Sequence, residues 1–206
     1  MLTVLDHPVA RHYLSLLRDK ETPPEHFRRF AERLTLFLAV EATKELRERT
    51  AFVDTPVEPT DAPMLAEHPT VVAILRAGIS MVEPFTRLLP DARIGFVGME
   101  RDEATAQASD YYHKFPAFGD GPIYVVDPML ATGGSAMGAL NFLVRKGAEP
   151  AKLRMVCHVA APEGVEALHQ RWPDLKILTA ALDRQLNARK YICPGLGDFG
   201  DRLFGT

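Results

Sequence analysis

From residue 71 onward the chain alternates short apolar runs with stretches of helical character, and this alternation limits the fold more than any other feature. Residues 71–75, 94–97, 123–126, 153–159 and 177–181 are short and mostly apolar, with many β-branched side chains. Such runs suit strands buried on both faces. Residues 79–89, 135–146 and 163–171 are predicted as the helices between them. Strands of this kind separated by helices fit an α/β fold, a mainly parallel sheet flanked by helices. In that architecture ligands bind outside the carboxyl ends of the strands. Candidate chemistry is therefore expected in the segments that follow strands.

The first 50 residues are predicted as helical. His7-Pro8 opens a helix running to about Lys20, with Leu14 and Leu17 on one face. Thr22 is a candidate cap before Pro23 and Pro24. From Phe27, the residues Phe30, Leu34, Phe37 and Leu38 recur at helical spacing, which predicts a helix to about Arg49. Pro56, Pro59, Pro63 and Pro69 oppose a long helix over 51–70, so an extended arm or hairpin is expected there.

A length of 206 residues is within reach of one domain. Its expected parts are helices and arm over about 1–70, a core over about 71–185 and a terminal segment over about 186–206. The net charge of -3 makes no electrostatic case for nucleic acid or an anionic membrane. Cys157 and Cys193 form neither a CxxC pair nor a zinc pattern, as expected of reduced thiols. No apolar run approaches the roughly 18 residues of a membrane span. The start, MLTVLDHPVARHYL, lacks the plan of a signal peptide. A cytoplasmic location is expected.

Asp127-Pro128-Met129-Leu130-Ala131-Thr132-Gly133-Gly134-Ser135 directly follows the strand 123–126 and precedes a helix. Small residues Thr132, Gly133, Gly134 and Ser135 let the backbone approach an anion, and their N–H groups with the helix start can cradle a phosphate. Asp127, at the strand end, is placed to accept hydrogen bonds from ribose hydroxyls. The loop is neither a Walker A sequence nor GxGxxG. The same residues would also suit a helix start whose glycines serve only packing.

Arg76 sits just past the strand 71–75, with Gly78 permitting a tight turn; a plain surface arginine would look the same. Arg101 follows the second strand and opens a polar stretch to about 121, read as a long loop or flap. The tail YICPGLGDFGDRLFGT holds Gly195, Gly197, Gly200 and Gly205. Glycine-rich tails fray, yet Tyr191, Ile192, Leu196, Phe199, Leu203 and Phe204 need burial. Cys193 has no evident histidine partner to make it a nucleophile.

Three of these segments carry a family resemblance. VVDPMLATGGS resembles the phosphoribosyl pyrophosphate motif of type I phosphoribosyltransferases, in the form found in the uracil branch. Most relatives have two adjacent acids there, and here the second is Pro128. LRAG resembles the family's pyrophosphate loop, which in relatives can hold a non-proline cis peptide. The tail resembles the uracil-binding signature. The resemblance spans roughly 1–206 and is weakest at 50–70.

This resemblance implies a type I phosphoribosyltransferase fold with N-terminal helices, a β-arm and a C-terminal hood. It implies a pentosyltransferase that joins uracil to 5-phospho-α-D-ribose 1-diphosphate (PRPP), giving UMP and diphosphate. The implied PRPP contacts are Arg76, Arg101, residues 127–135 and Asp198. Asp127 would bind the ribose 2′ and 3′ hydroxyls, and residues 131–135 the 5′-phosphate. Arg76, Arg101, Asp127 and Asp198 would carry the catalysis. A loop bearing Arg101 would close over the substrate. Ile192, Gly197, Asp198 and Phe199 would contact uracil, largely through the backbone, and many relatives have alanine in place of Phe199. Asp198 would act on PRPP through magnesium and water, with the ion held mainly by substrate oxygens and no metal cage in the protein. A homodimer through the N-terminal helices and arm, further assembly and a GTP effector are implied in the same way. Two rivals stand beside this reading. One is a non-catalytic pyrimidine-nucleotide sensor that binds RNA, and the other is a transferase for a purine base.

Overall fold

The computed structural model describes residues 1–101 and 108–206, with 99–101 and 108–111 described through their backbone alone. The chain begins with a short strand, β1 (Leu2–Val4). It pairs in parallel with a strand 175 residues later, Leu2 facing Ile177 and Val4 facing Thr179. Three residues are too few to show a period, so a helical reading of this region could not find it.

Helix α1 (Pro8–Arg18) starts where expected. His7 caps it, its Nδ1 accepting from the Val9 N–H at 3.2 Å. Ala10, Leu14 and Leu17 form its buried stripe. Helix α2 (Pro24–Ala42) buries Phe27, Ala31, Leu34, Leu38 and Ala39, the spacing of an amphipathic helix. Two expectations are corrected here. Thr22 does not cap α2, because its hydroxyl donates to the Leu16 carbonyl at 2.7 Å. The helix also stops at Ala42 rather than about Arg49. Beyond it, β2 (Glu48–Asp54) pairs antiparallel with β3 (Pro59–Leu65), Glu48 opposite Leu65. Lys44, Glu45, Leu46 and Arg47 favour helix, but β3, which begins five residues after Asp54, captures the chain that follows. The pair makes a separate two-stranded sheet, the arm expected from the prolines.

The main sheet contains β4 (Thr70–Leu75), β5 (Arg93–Arg101), β6 (Ala108–Lys114), β7 (Ile123–Val126), the short β8 (Met129–Leu130), β9 (Leu153–Ala160) and β10 (Lys176–Leu182) in addition to β1. Its order is β1-β10-β9-β7-β4-β5-β6, with β8 beside β9. Every pairing is parallel except that of β5 with β6. Between these strands run α3 (Val82–Leu88), α4 (Gly134–Arg145) and α5 (Pro162–Arg171). The expected helix 79–89 divides into a 3-10 turn, Ala77–Met81, and α3.

The reading of 101–121 as one long loop is corrected by β6, which folds back on β5 with Gly98 opposite Tyr112. The expected contacts of the flap at 102–107 lie outside the described residues, as does the side chain of Arg101.

Alternate residues of the central strands enter opposite cores, as a two-residue period requires. Val71, Ala73, Tyr124 and Val126 pack with α1, α2 and the chain terminus. Val72, Ile74, Ile123 and Val125 pack with α4 and α5. Burial on both faces is why these strands read as continuous apolar runs. Their carboxyl ends bring the segments after β4, β7 and β10 to one edge of the sheet.

Candidate active site

Strand β7 is buried throughout and delivers Asp127 to the edge, where the Asp127 N–H still donates to the Val156 carbonyl at 3.2 Å. Pro128 cannot donate to a ladder, and its carbonyl instead accepts from the N–H groups of His158 at 2.9 Å and Val159 at 3.1 Å. The loop is thus tied to β9 before it turns. Gly133, at φ +79°, ends it and opens α4. That conformation favours glycine. Gly164 at the start of α5 lies so close beneath that a Cβ there would fall 2.4 Å from the Ala131 carbonyl oxygen. The first turn of α4 holds no acidic residue. Its leading amides and the positive end of its dipole therefore favour an anion.

Beyond β10 the chain forms a small hairpin, β11 (Gln185–Leu186) with β12 (Ile192–Cys193). The Asn187 side-chain oxygen shapes its turn, accepting from the N–H groups of Arg189 at 2.9 Å and Tyr191 at 3.0 Å. Glu163 fastens the hairpin to α5 by accepting from the Leu186 N–H at 2.8 Å. After a cis Cys193–Pro194 bond come Gly195 at φ +61° and Gly197 at φ +82°. Asp198 then caps the last helix, α6 (Phe199–Phe204), its Oδ1 accepting from the Asp201 N–H at 3.0 Å. The Phe199 ring packs edge-on against Phe27, with centroids 5.0 Å apart, and lies 5.3 Å from the His158 ring. The tail is therefore anchored in the core and does not fray.

The loop after β7 and the tail share one open cavity of about 340 Å³. Asp127, Met129, Leu130, Ala131, Thr132, Gly133, Gly134 and Ser135 form one wall, and Ile192, Gly197, Asp198 and Phe199 the other. Pro128 lies beneath the wall, buried, with its carbonyl turned to β9. Arg189, Lys190 and Tyr191 also line the cavity, and sequence reasoning missed all three. Two cations beside the glycine-rich tail were the available signal.

Arg76 stands apart from this lining. It follows a cis Leu75–Arg76 bond, and its guanidinium lies over the Phe204 ring at 5.8 Å. A Cβ on nearby Gly78 would meet the Val126 carbonyl oxygen at 2.5 Å, so the turn after β4 sits hard against the end of β7. Arg101 ends β5, next to β4.

Burial sets the electrostatics. It raises the Asp127 carboxyl to about 7 from the ordinary 3.8, an effect opposed by the Met129 N–H. It lowers His158 to about 3, so the ring is neutral. The Thr35 hydroxyl donates to the Ala31 carbonyl, so the 2.7 Å contact between Thr35 and His158 places the ring proton on Nε2. Cys157, buried in the sheet, is pushed up to about 12 and is an inert thiol. Among the described residues no three His, Cys, Asp or Glu side chains converge on one point.

Comparison with known proteins gives a consistent result. The family model described as "Uracil phosphoribosyltransferase" matches residues 4–206. A uracil phosphoribosyltransferase of Lactococcus lactis subsp. cremoris is 46% identical over 205 residues, which cover 98% of this chain and 97% of that protein. The AQ2163 protein of Aquifex aeolicus has a solved structure that superposes with a TM-score of 0.92 at 34% identity, covering 100% of this chain and 99% of that one. An adenine phosphoribosyltransferase of Leishmania donovani aligns over 92% of this chain and 86% of its own, with a TM-score of 0.58. At 15% identity that likeness concerns the fold alone.

Proposed function

The chain belongs to the uracil phosphoribosyltransferase family, with the fold of type I phosphoribosyltransferases, and we propose that the cavity between the β7–α4 loop and the tail is where uracil and PRPP react. The activity is transfer of a phosphoribosyl group to uracil, giving UMP and diphosphate. The observation that carries the assignment of the site is the shared cavity: two segments 53 residues apart at their nearest, Ala136 and Arg189, line the same space.

The proposed residue roles rest on the cavity lining for the loop and the tail, and on the family resemblance for Arg76 and Arg101. Residues 131–135 bind the 5′-phosphate through backbone N–H groups at the start of α4. Each charge-assisted hydrogen bond contributes about 1.5–3 kcal/mol. Asp127, as carboxylate, accepts from the ribose hydroxyls. Ile192, Gly197 and Phe199 offer backbone groups to the O4, N3–H and O2 edge of uracil. Cytosine reverses the donor pattern at position 4, and unpaired groups of that kind discriminate by about 10⁴–10⁵. Arg76 and Arg101 take the diphosphate, where cations stabilise the leaving charge. Orientation of N1 against the anomeric carbon supplies the remainder.

Among the described residues, Asp127 and Asp198 are the carboxylates lining the cavity. This donor set fits Mg²⁺ that keeps most of its water and reaches the protein through substrate oxygens. When bound, the ion supplies charge neutralisation on the diphosphate. A homodimer through the N-terminal helices and arm is the proposed assembly, supported by Phe52 at 70% and Val57 at 91% exposure. Higher assembly and a GTP effector are proposed on the family resemblance alone. No helix among the described residues is long and apolar enough to cross a membrane, and the cytoplasm is the proposed location.

Incubation with PRPP and each of uracil, cytosine, adenine and hypoxanthine tests the reading. UMP formed from uracil alone, and only with magnesium present, is expected. Product from a purine base, or none from any base, would overturn it.

A further inference from the structure

Beyond β12 the chain leaves the ladder, and Gly195 and Gly197 at positive φ carry it to α6. One residue in this stretch is gripped at both its N–H and its carbonyl. The Gly195 N–H donates to Asp183 Oδ2 at 2.8 Å, and the Gly195 carbonyl accepts from Arg18 Nη1 at 2.7 Å. The two side chains also hold each other: Arg18 Nη1 donates to Asp183 Oδ2 at 2.8 Å and Nη2 to Oδ1 at 2.6 Å. Carboxylate, guanidinium and peptide thus close a ring. The Asp183 side chain is 5% exposed and that of Arg18 24%, so water competes little. A planar fork is required at this point, and lysine cannot supply it.

Both members are themselves anchored. The Asp183 N–H donates to the Ala160 carbonyl at 2.8 Å, just past the end of β10. Arg18 ends α1. The next residue is held through its carbonyl, since Arg202 Nη1 donates to the Leu196 carbonyl at 2.8 Å and also to the Leu17 carbonyl. Gly195 admits no side chain, because a Cβ would fall 2.1 Å from the Ile192 carbonyl oxygen. Neither Arg18 nor Asp183 lines the cavity, whereas Ile192 and Gly197, on either side of the gripped residue, do.

We propose that Arg18 and Asp183 are positioning residues for the nucleobase, setting the peptide groups of 192–197 at the spacing uracil requires. The inference rests on the reading of the tail as the uracil site. Loss of the clamp shifts those peptides while leaving the β7–α4 loop in place, so it falls on one substrate.

Steady-state kinetics of Asp183→Asn, Arg18→Met and Arg18→Lys test this, together with hydrogen exchange at the Gly195 amide of the unaltered protein. The first two variants are expected to raise KM for uracil by roughly tenfold or more, with KM for PRPP changed by less than about threefold. Arg18→Lys is expected to fall between them and the parent. The Gly195 amide is expected to exchange slowly. An unchanged uracil KM, or both KM values rising together, would overturn the proposal. A Gly195 amide that exchanges like an open loop would do so even if no variant folds. Slow exchange at Gly195 in a parent protein that makes no UMP would instead overturn the functional reading and leave the clamp standing.

Discussion

Asp127 shows how one residue joins stability to function. Its folded value of about 7 lies above the ordinary 3.8, so the folded chain holds this proton more tightly than the unfolded chain does. Between about pH 4 and 7 the folded state therefore binds more protons, and stability falls as pH rises through that window. Asp127→Asn removes the effect. The variant should gain on the parent by on the order of 1–3 kcal/mol between pH 4 and 7, with allowance for the side open to the cavity, as denaturant unfolding at the two pH values would read. Activity moves the other way. In the proposed role the carboxylate offers two charged acceptors to the ribose hydroxyls where the amide offers one neutral one, so the variant should lose on the order of 10²-fold in kcat/KM for PRPP. A stable but inactive variant is the expected pair of results. Asp127 was identifiable from its position at a strand end before small residues. Its raised pKa was not, because burial depends on what covers the strand.

At the scale of elements, the central strands and α4 and α5 were legible because each carries its own period or a continuous apolar run. Helix α2 was legible in its stripe but not in its end, where the β2–β3 ladder decides. Helix α6 is six residues long and could not stand alone in water. Phe199 makes it part of the core, being 2% exposed between Phe27 and His158. Phe199→Ala would leave a void there and should cost about 3–5 kcal/mol in unfolding free energy. The backbone at 199 still reaches the cavity, so KM for uracil should rise by less than about fivefold, far less than stability suffers. A large rise in KM with unchanged stability would show that the ring belongs to the base site.

For the whole molecule, the arm is the element on which the proposed dimer depends. Phe52, Met64 and Leu65 are exposed on a two-stranded sheet outside the main sheet, and Val57 on the turn that joins its strands. A lone hairpin of this kind is marginal in water and gains stability when its apolar side chains are covered. Phe52→Asp with Val57→Asp should shift the sedimentation coefficient from dimer toward monomer. A parent protein that sediments as a monomer would remove the premise.

The sequence alone determined the α/β class, the strands buried on both faces, and the two segments that line the cavity. Those features are written in local periods, in glycines at tight turns and in motifs a few residues long. Only the tertiary structure decided that these segments share a cavity, that Arg189 and Lys190 stand at it, and that Arg18 and Asp183 grip Gly195 from 177 and 12 residues away. Such contacts arise from the sheet order, which brings distant strand ends to one edge. No local pattern of residues encodes which ends will meet, because the deciding free energy is burial summed over the whole sheet.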